Sequence, residues 1–297
     1  MSHENLIKRF ATAGLELKIS NKPLIRSAGT EIVQIDIGRK ISGSRRQEWF
    51  NIFPGHEDNR IEVMGTDKRI GQLVLMVHEP AREFKTEVPF AARACKTAQE
   101  VVDRLGVQIR NVVREGGKWL IKSKTSSQKR HFLCGLDERQ LFIAQLTRTC
   151  TTVKEAHDSL KTVTVTLAEG KVGKATRQGE FFFLPVTKEE RDLIELGLKK
   201  NLLVVEKDAP IGPFLEGVRG MGRKVRQRVG NPHTASELII LPGTPLQHGF
   251  GVRSREVFVR GKVRHTDHAT VSFKQWSKII RNSEANTGNV TGVGWVD

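Results

Sequence analysis

The residues best suited to chemistry lie late in the chain. In EVFVRGKVRHTDHATVSFKQW, residues 256–276, His265 and His268 flank Asp267 and follow Arg260, Lys262 and Arg264. A further histidine, His233, stands upstream in NPHTASE. Imidazole titrates near neutrality and is the commonest side-chain ligand for transition metals. His233, His265 and His268 would together supply three metal ligands, with Asp267 orienting one ring through its other nitrogen. Alternatively, His265 or His268 with His233 would act as acid and base in phosphodiester cleavage, and Arg260 would stabilise the charge developing on the phosphate. The plainer alternative is that these histidines are polar turn residues bonded to backbone or to phosphate.

Other patterns weigh against catalysis. The H-x-x-H spacing is not the helical H-E-x-x-H of zinc peptidases. His157-Asp158-Ser159 and His268-Ala269-Thr270 nominally repeat H-x-[ST], but His157 falls in a stretch with helical spacing and not on a facing strand. Asp137 and Glu138 are adjacent acids in a turn and read as solvated. Cys95, Cys134 and Cys150 form no C-x-x-C, which removes zinc-ribbon and thioredoxin-type sites and suits a reducing compartment. No catalytic residue, cofactor or metal is therefore assigned. A hydrolase acting on phosphodiester bonds, and a divalent metal on the three histidines, stand as alternatives.

The chain carries 49 Lys and Arg against 33 Asp and Glu, a formal net charge of +16. A field of that sign favours polyanions, nucleic acid before a membrane surface. The cations concentrate in three stretches. Lys118, Lys122, Lys124, Lys129 and Arg130 surround a polar segment, KTSSQKR, that reads as a mobile loop. Arg219, Arg223, Lys224, Arg226 and Arg228 lie in the glycine-rich IGPFLEGVRGMGRKVRQRVG, where small residues let a backbone approach a ligand and arginine forks grip phosphate. Arg260, Lys262 and Arg264 alternate along the strand that leads to His265. The glycines spell neither a Walker A loop nor G-x-G-x-x-G, so no nucleotide fingerprint is present. No helix-turn-helix, zinc finger, basic zipper or RNP-type signature occurs, which points to a folded RNA over a DNA sequence. Tyrosine is absent, so any base stacking falls to Phe and Trp. The function expected is nucleic-acid binding. A phage structural protein facing packaged nucleic acid is a third alternative.

The elements that must position these residues follow from periodicity. Residues 31–90 are strand-rich, with IVQIDIG, EWFNIF, RIEVMG and QLVLMVHE as short apolar runs bounded by turn residues. AARACKTAQEVVDRLG has the spacing of an amphipathic helix ending at Gly106. Gly116-Gly117 marks a hairpin, RHFLCGLDERQLFIAQL reads as strand, turn, strand, and TVKEAHDSLK as a helix capped by Thr151 or Thr152. TVTVTLAEGKVGKATRQGE reads as a strand running into a linker. Beyond it come the strand EFFFLPV, a helix from Thr187 with Glu190 completing a capping box, the strand NLLVVEK, the strand LIILPG and the hairpin at 256–273. SFKQWSKIIRNSE is read as a short helix or strand.

Arg177-Gln178-Gly179-Glu180 before FFFLPV, the histidine of GNPH, and VRGKVRHTDHATV together resemble a pattern in uncharacterised bacterial and phage proteins with an RQG[DE] strand and an H-x-x-H hairpin. The resemblance spans residues 177–284 and implies a compact β-rich domain and a prokaryotic or viral setting, with no catalytic roles.

The expectation is an α+β protein: a strand-rich N-terminal domain with a few short helices over 1–160, a linker over 161–176, a compact β-rich basic domain over 177–284 and a mobile tail over 285–297. No run of apolar residues is long enough to span a membrane, and the first residues lack the apolar stretch of a signal peptide. A cytoplasmic setting is expected, or a virion-associated one if the chain is phage-encoded.

Overall fold

A computed structural model describes residues 3–25, 30–42, 45–138, 140–211, 233–241, 256–266 and 268–283. The architecture is α+β. Helix α1 (His3–Thr12) precedes β1 (Leu17–Ile19), β2 (Gln34–Ser42), β3 (Arg45–Phe53), β4 (Arg60–Asp67), β5 (Gln72–Glu79) and β6 (Arg82–Glu87). Helix α2 (Ala98–Leu105) leads to β7 (Val112–Glu115), β8 (Lys118–Thr125), β9 (Gln128–Asp137) and β10 (Gln140–Leu146), then to α3 (Val153–Leu160) and α4 (Val163–Val172). After β11 (Thr176–Gln178) and β12 (Phe181–Pro185) come α5 (Lys188–Lys199), β13 (Glu206–Pro210), β14 (Thr234–Leu241), β15 (Glu256–Arg264) and β16 (Val271–Arg281).

The strands form four sheets: β1-β3-β2, β10-β9-β5-β4, β6-β8-β7, and a six-stranded β11-β12-β16-β15-β14-β13. Strand β5 shows why its sequence runs apolar instead of alternating. Leu73, Leu75 and Val77 enter one core with Phe10, Ile35, Phe50 and Phe132, while Val74 enters another with Leu133, Phe142, Ala156 and Leu160 of α3. A strand covered on both faces has no solvent side to alternate with. Both cap expectations for α3 and α5 hold: Thr152 with Glu155, and Thr187 with Glu190, form complete capping boxes.

Four local readings change. KTSSQKR, residues 124–130, is not a loop: β8 runs to Thr125 and β9 begins at Gln128, two strands of different sheets joined through Ser126 and Ser127. The TVTVTL stretch is helix α4, capped by the Thr162 side chain on the Val165 N–H. Its β-branched residues favour a strand locally, but Val165 and Ala168 pack against Phe182 and Leu184, and that tertiary contact overrides propensity. The strand expected at NLLVVEK starts only at Glu206. Asn201 takes a left-handed turn (φ 55) and Leu202 and Leu203 bond back to Gly197 O, which closes the end of α5. Residues 271–281 form one long strand, β16, paired with both β12 and β15.

The six-stranded sheet carries the histidines. One of its faces presents Phe181, Phe183, Ala209, Ala235, Leu238, Val257, Val259, Val263 and Ile279, which pack on one another. Among the described residues these partners all belong to the same sheet or to Ile211 just beyond β13. The opposite face holds Ile239, Phe258 and Trp276 under Ile194 of α5. The alternation expected along β15 is therefore explained: Val257, Val259 and Val263 point into this apolar cluster, and Phe258, Arg260, Lys262 and Arg264 point away from it.

One cation expected to contact phosphate is instead interior. Arg130 Nη2 lies 3.0 Å from Glu79 Oε1, with the two side chains 10% and 7% exposed. The same Glu79 oxygen accepts the Val33 N–H at 2.7 Å. Burial lowers the Arg130 pKa, and Glu79 opposes that shift. Removing one member strands the other charge, which typically costs about 3–5 kcal/mol. Arg130→Met is thus expected to lower the urea midpoint markedly without a specific loss of nucleic-acid affinity. An unchanged midpoint with weakened binding would return Arg130 to the surface role.

Candidate metal centre

Pairing across β14 and β15 brings the first two histidines together. Thr234 and Arg264 are register partners, so His233 and His265, each one residue beyond its strand, stand side by side. Their rings stack at 4.2 Å with an 18° interplanar angle. His268, on the connection to β16, joins them at 5.5 Å from His233 and 4.9 Å from His265. The cluster lies against the apolar core of this sheet: His233 is 5% exposed and meets Phe181 edge to face at 4.9 Å.

The electrostatics favour neutral imidazoles. Burial, and then the charge His265 and His268 would carry, push the His233 pKa down to about 3. His268 is also lowered, chiefly by burial, against the opposing fields of Asp137, Glu138 and Glu180. Neutral imidazole is the form that ligates a metal. Nε2 of His233 and Nε2 of His268 are buried with no hydrogen-bond partner among the described residues. Buried polar atoms without partners are rare, and an ion or ligand is one ordinary cause.

Gly179 makes the space beside those two atoms. Its φ is +56°, and a Cβ built there would stand 3.0 Å from His268 Nε2, 3.2 Å from His233 Cε1 and 3.3 Å from His233 Nε2. A side chain at 179 would therefore fill the volume that both lone nitrogens face. The three ligand atoms lie within 4.8 Å of one another. Nitrogens bound to one tetrahedral zinc at about 2.0–2.1 Å sit about 3.3 Å apart. The near-parallel rings must turn about their Cβ–Cγ bonds to converge on one ion.

Other expected site residues go elsewhere. Arg260 stands on the opposite face of β15, bonded to Glu237 at 2.5 Å and lying 4.6 Å over the Trp276 ring, so the structure does not assemble it with the histidines. Arg264 pairs with Asp208 at 2.9 Å, Lys118 with Glu87 at 3.5 Å and Lys124 with Glu83 at 3.7 Å. Lys122, Lys129 and Lys262 are exposed, and no ion pair joins them to an acid among the described residues. Asp267 and the Arg219, Arg223, Lys224, Arg226 and Arg228 group lie outside the described residues. The described residues that flank that group, Ile211 and His233, share a 2.8 Å backbone hydrogen bond.

Sequence spacing alone did not single out Gly179 or its neighbours as part of the site. Arg177 donates from Nε to Gly179 O at 2.9 Å and from Nη1 to His157 Nδ1 at 3.2 Å. Guanidinium has no acceptor, so His157 Nδ1 must be the accepting nitrogen, and Nε2–H donates to Gln72 Oε1 at 2.7 Å. This line of bonds ties the RQGE segment to α3 and β5. The left-handed glycine was the available signal, because it marks a close backbone approach.

Burial, and next Arg177, lower the His157 pKa from 6.5. Above that pH the group is neutral in both folded and unfolded chains and contributes no pH dependence. Below it the unfolded chain takes up a proton that the folded chain resists, so stability falls as pH falls. His157→Gln is expected to make thermal stability less sensitive to acidification from pH 7 to 5, by up to about 1.4 kcal/mol per pH unit. A variant with the same slope as the parent would show that His157 is accessible and free to protonate. No protein-family model, curated protein or solved structure matches the chain, so its functional reading rests on the geometry of this site.

Proposed function

We propose that the chain is a metal-binding protein whose His233, His265 and His268 hold a divalent transition metal. The observation that carries this reading is the pair of buried, unpartnered Nε2 atoms facing the space beside Gly179, with the third imidazole stacked next to them. An all-imidazole set suits zinc, cobalt, nickel or copper better than magnesium or calcium, which prefer oxygen. Three protein ligands leave a coordination position for water or an exogenous ligand. The protein purified from zinc-supplemented medium is expected to carry one zinc per chain by elemental analysis. His265→Ala, His268→Ala and Gly179→Val should each reduce that occupancy at least tenfold, the last by filling the cradle from a strained left-handed position. Full occupancy in all three variants would place the metal elsewhere.

A second reading, nucleic-acid binding with RNA preferred, is favoured by the net charge of +16 and by one face of the six-stranded sheet. Lys262 and Ser272 are register partners and share a side, and Lys274 follows on the same side two residues later. Lys262, Arg264 and Lys274 are all exposed there. Phosphate neutralisation should appear as a log–log salt slope of about 0.7–0.9 per contact, reduced by about two to three units in a Lys262→Ala/Arg264→Ala/Lys274→Ala variant. A salt-independent affinity, or an unchanged slope in that variant, would remove the sheet face from the interface. No helix among the described residues is long and apolar enough to cross a membrane. A phosphodiester hydrolase using the same three histidines is the enzymatic form of the two readings combined.

A further inference from the structure

The metal centre does not belong to the six-stranded sheet alone. Glu138 lies in the turn between β9 and β10, part of a different sheet, and takes a left-handed conformation (φ 57) that non-glycine residues seldom adopt. Its carboxylate Oε2 accepts the backbone N–H of Ala269, the residue after His268. From the other side, Gln178 Nε2 donates to Ala269 O at 2.5 Å. Both backbone groups of Ala269 are thereby held by side chains, one from the β9–β10 turn and one from β11. Gln178 also precedes Gly179, whose missing side chain provides the open space beside the histidine nitrogens.

His268 and Ala269 lie between the end of β15 and the start of β16, outside the ladder that fixes His233 against His265. A ligand on a short connection is aimed by whatever bonds its backbone. Outer groups of this kind commonly contribute 10- to 100-fold to metal affinity. The carboxylate adds a charge effect of the same sign. Three neutral imidazoles leave a bound divalent cation with its full charge, and Asp137, Glu138 and Glu180 are the acids whose fields reach His268.

Resting on the metal-binding reading, we infer that Glu138 is a positioning residue of the centre: it fixes the His268–Ala269 connection so that His268 Nε2 faces the Gly179 cradle. A site whose ligands all come from the C-terminal sheet thus depends on a side chain supplied by the N-terminal strands. Asp137 and Glu138 are adjacent acids on a turn, a pattern that by itself indicates only solvation. The bond to Ala269 and the orphaned nitrogen next to it give Glu138 a role at the site.

The test uses the full-length chain stripped of metal and titrated with Co²⁺, whose visible spectrum reports ligand number and geometry. Wild type is expected to bind one Co²⁺. Glu138→Ala should bind it about 10- to 100-fold more weakly, with altered band positions. Glu138→Gln, whose amide oxygen still accepts from Ala269, should fall between the two. The metal-free melting temperatures of both variants should match wild type, since the side chain is at the surface. Affinity and spectrum equal to wild type in Glu138→Ala would overturn the role of Glu138 and leave the three-histidine reading standing. Absence of Co²⁺ binding by wild type would overturn both. A metal-free melting temperature lowered in Glu138→Ala would assign the Ala269 bond to the stability of the fold and count against a role specific to the centre.

Discussion

The fold of the second half converges on a packing constraint. Two imidazole nitrogens are withdrawn from water at the end of an apolar core and receive no hydrogen bond among the described residues. Leaving a buried polar atom unsatisfied costs about 1–3 kcal/mol, which is a sizeable part of the net stability of a domain. The surrounding elements preserve this arrangement instead of relieving it. Phe181 shields one edge of His233, the β14–β15 register fixes His265 beside it, and Gly179 withholds the side chain that would close the gap. A coordinated ion would satisfy the nitrogens at once and would make the glycine, the register and the stacked rings parts of one requirement.

The same centre links strand systems that share no ladder. Strand pairing joins residues within 17–146 and within 176–281 but not across. Among the described residues, contacts that cross include Glu138 to Ala269, Arg177 to His157 and over the Phe142 ring, and Ser283 to the backbone of Ser159 and Leu160. Each of these contacts ends on the histidine connection, on the RQGE segment, or on the end of β16. A polar junction of this kind is sensitive to protonation and to charge, whereas the apolar cores on either side are not.

Much of the local structure was legible because it obeys short-range rules. The alternation in VFVRGKVR, the Thr187–Glu190 box and the glycine after VVDRL each have a physical cause within a few residues, and each is found. The failures have a common cause in long-range contact. α4 is a helix because Phe182 and Leu184 await Val165, and Arg130 is interior because Glu79 faces it from β5. The candidate site divides in the same way. HTDH is visible as a pair, but the register that sets His233 against His265 is not written in any spacing, since the intervening chain is long. Glu138 reads as a solvated turn acid because its partner, the backbone N–H of Ala269, leaves no trace in sequence.

Zinc K-edge X-ray absorption on the full-length protein, loaded with one equivalent of Zn²⁺, tests the central claim most directly. The account predicts a first shell dominated by three imidazole nitrogens at about 2.0–2.1 Å, with the outer-shell scattering of the rings and one or more oxygens completing the coordination. A first shell of oxygen or sulfur without imidazole scattering, or a spectrum unchanged when His233 is replaced, would contradict it.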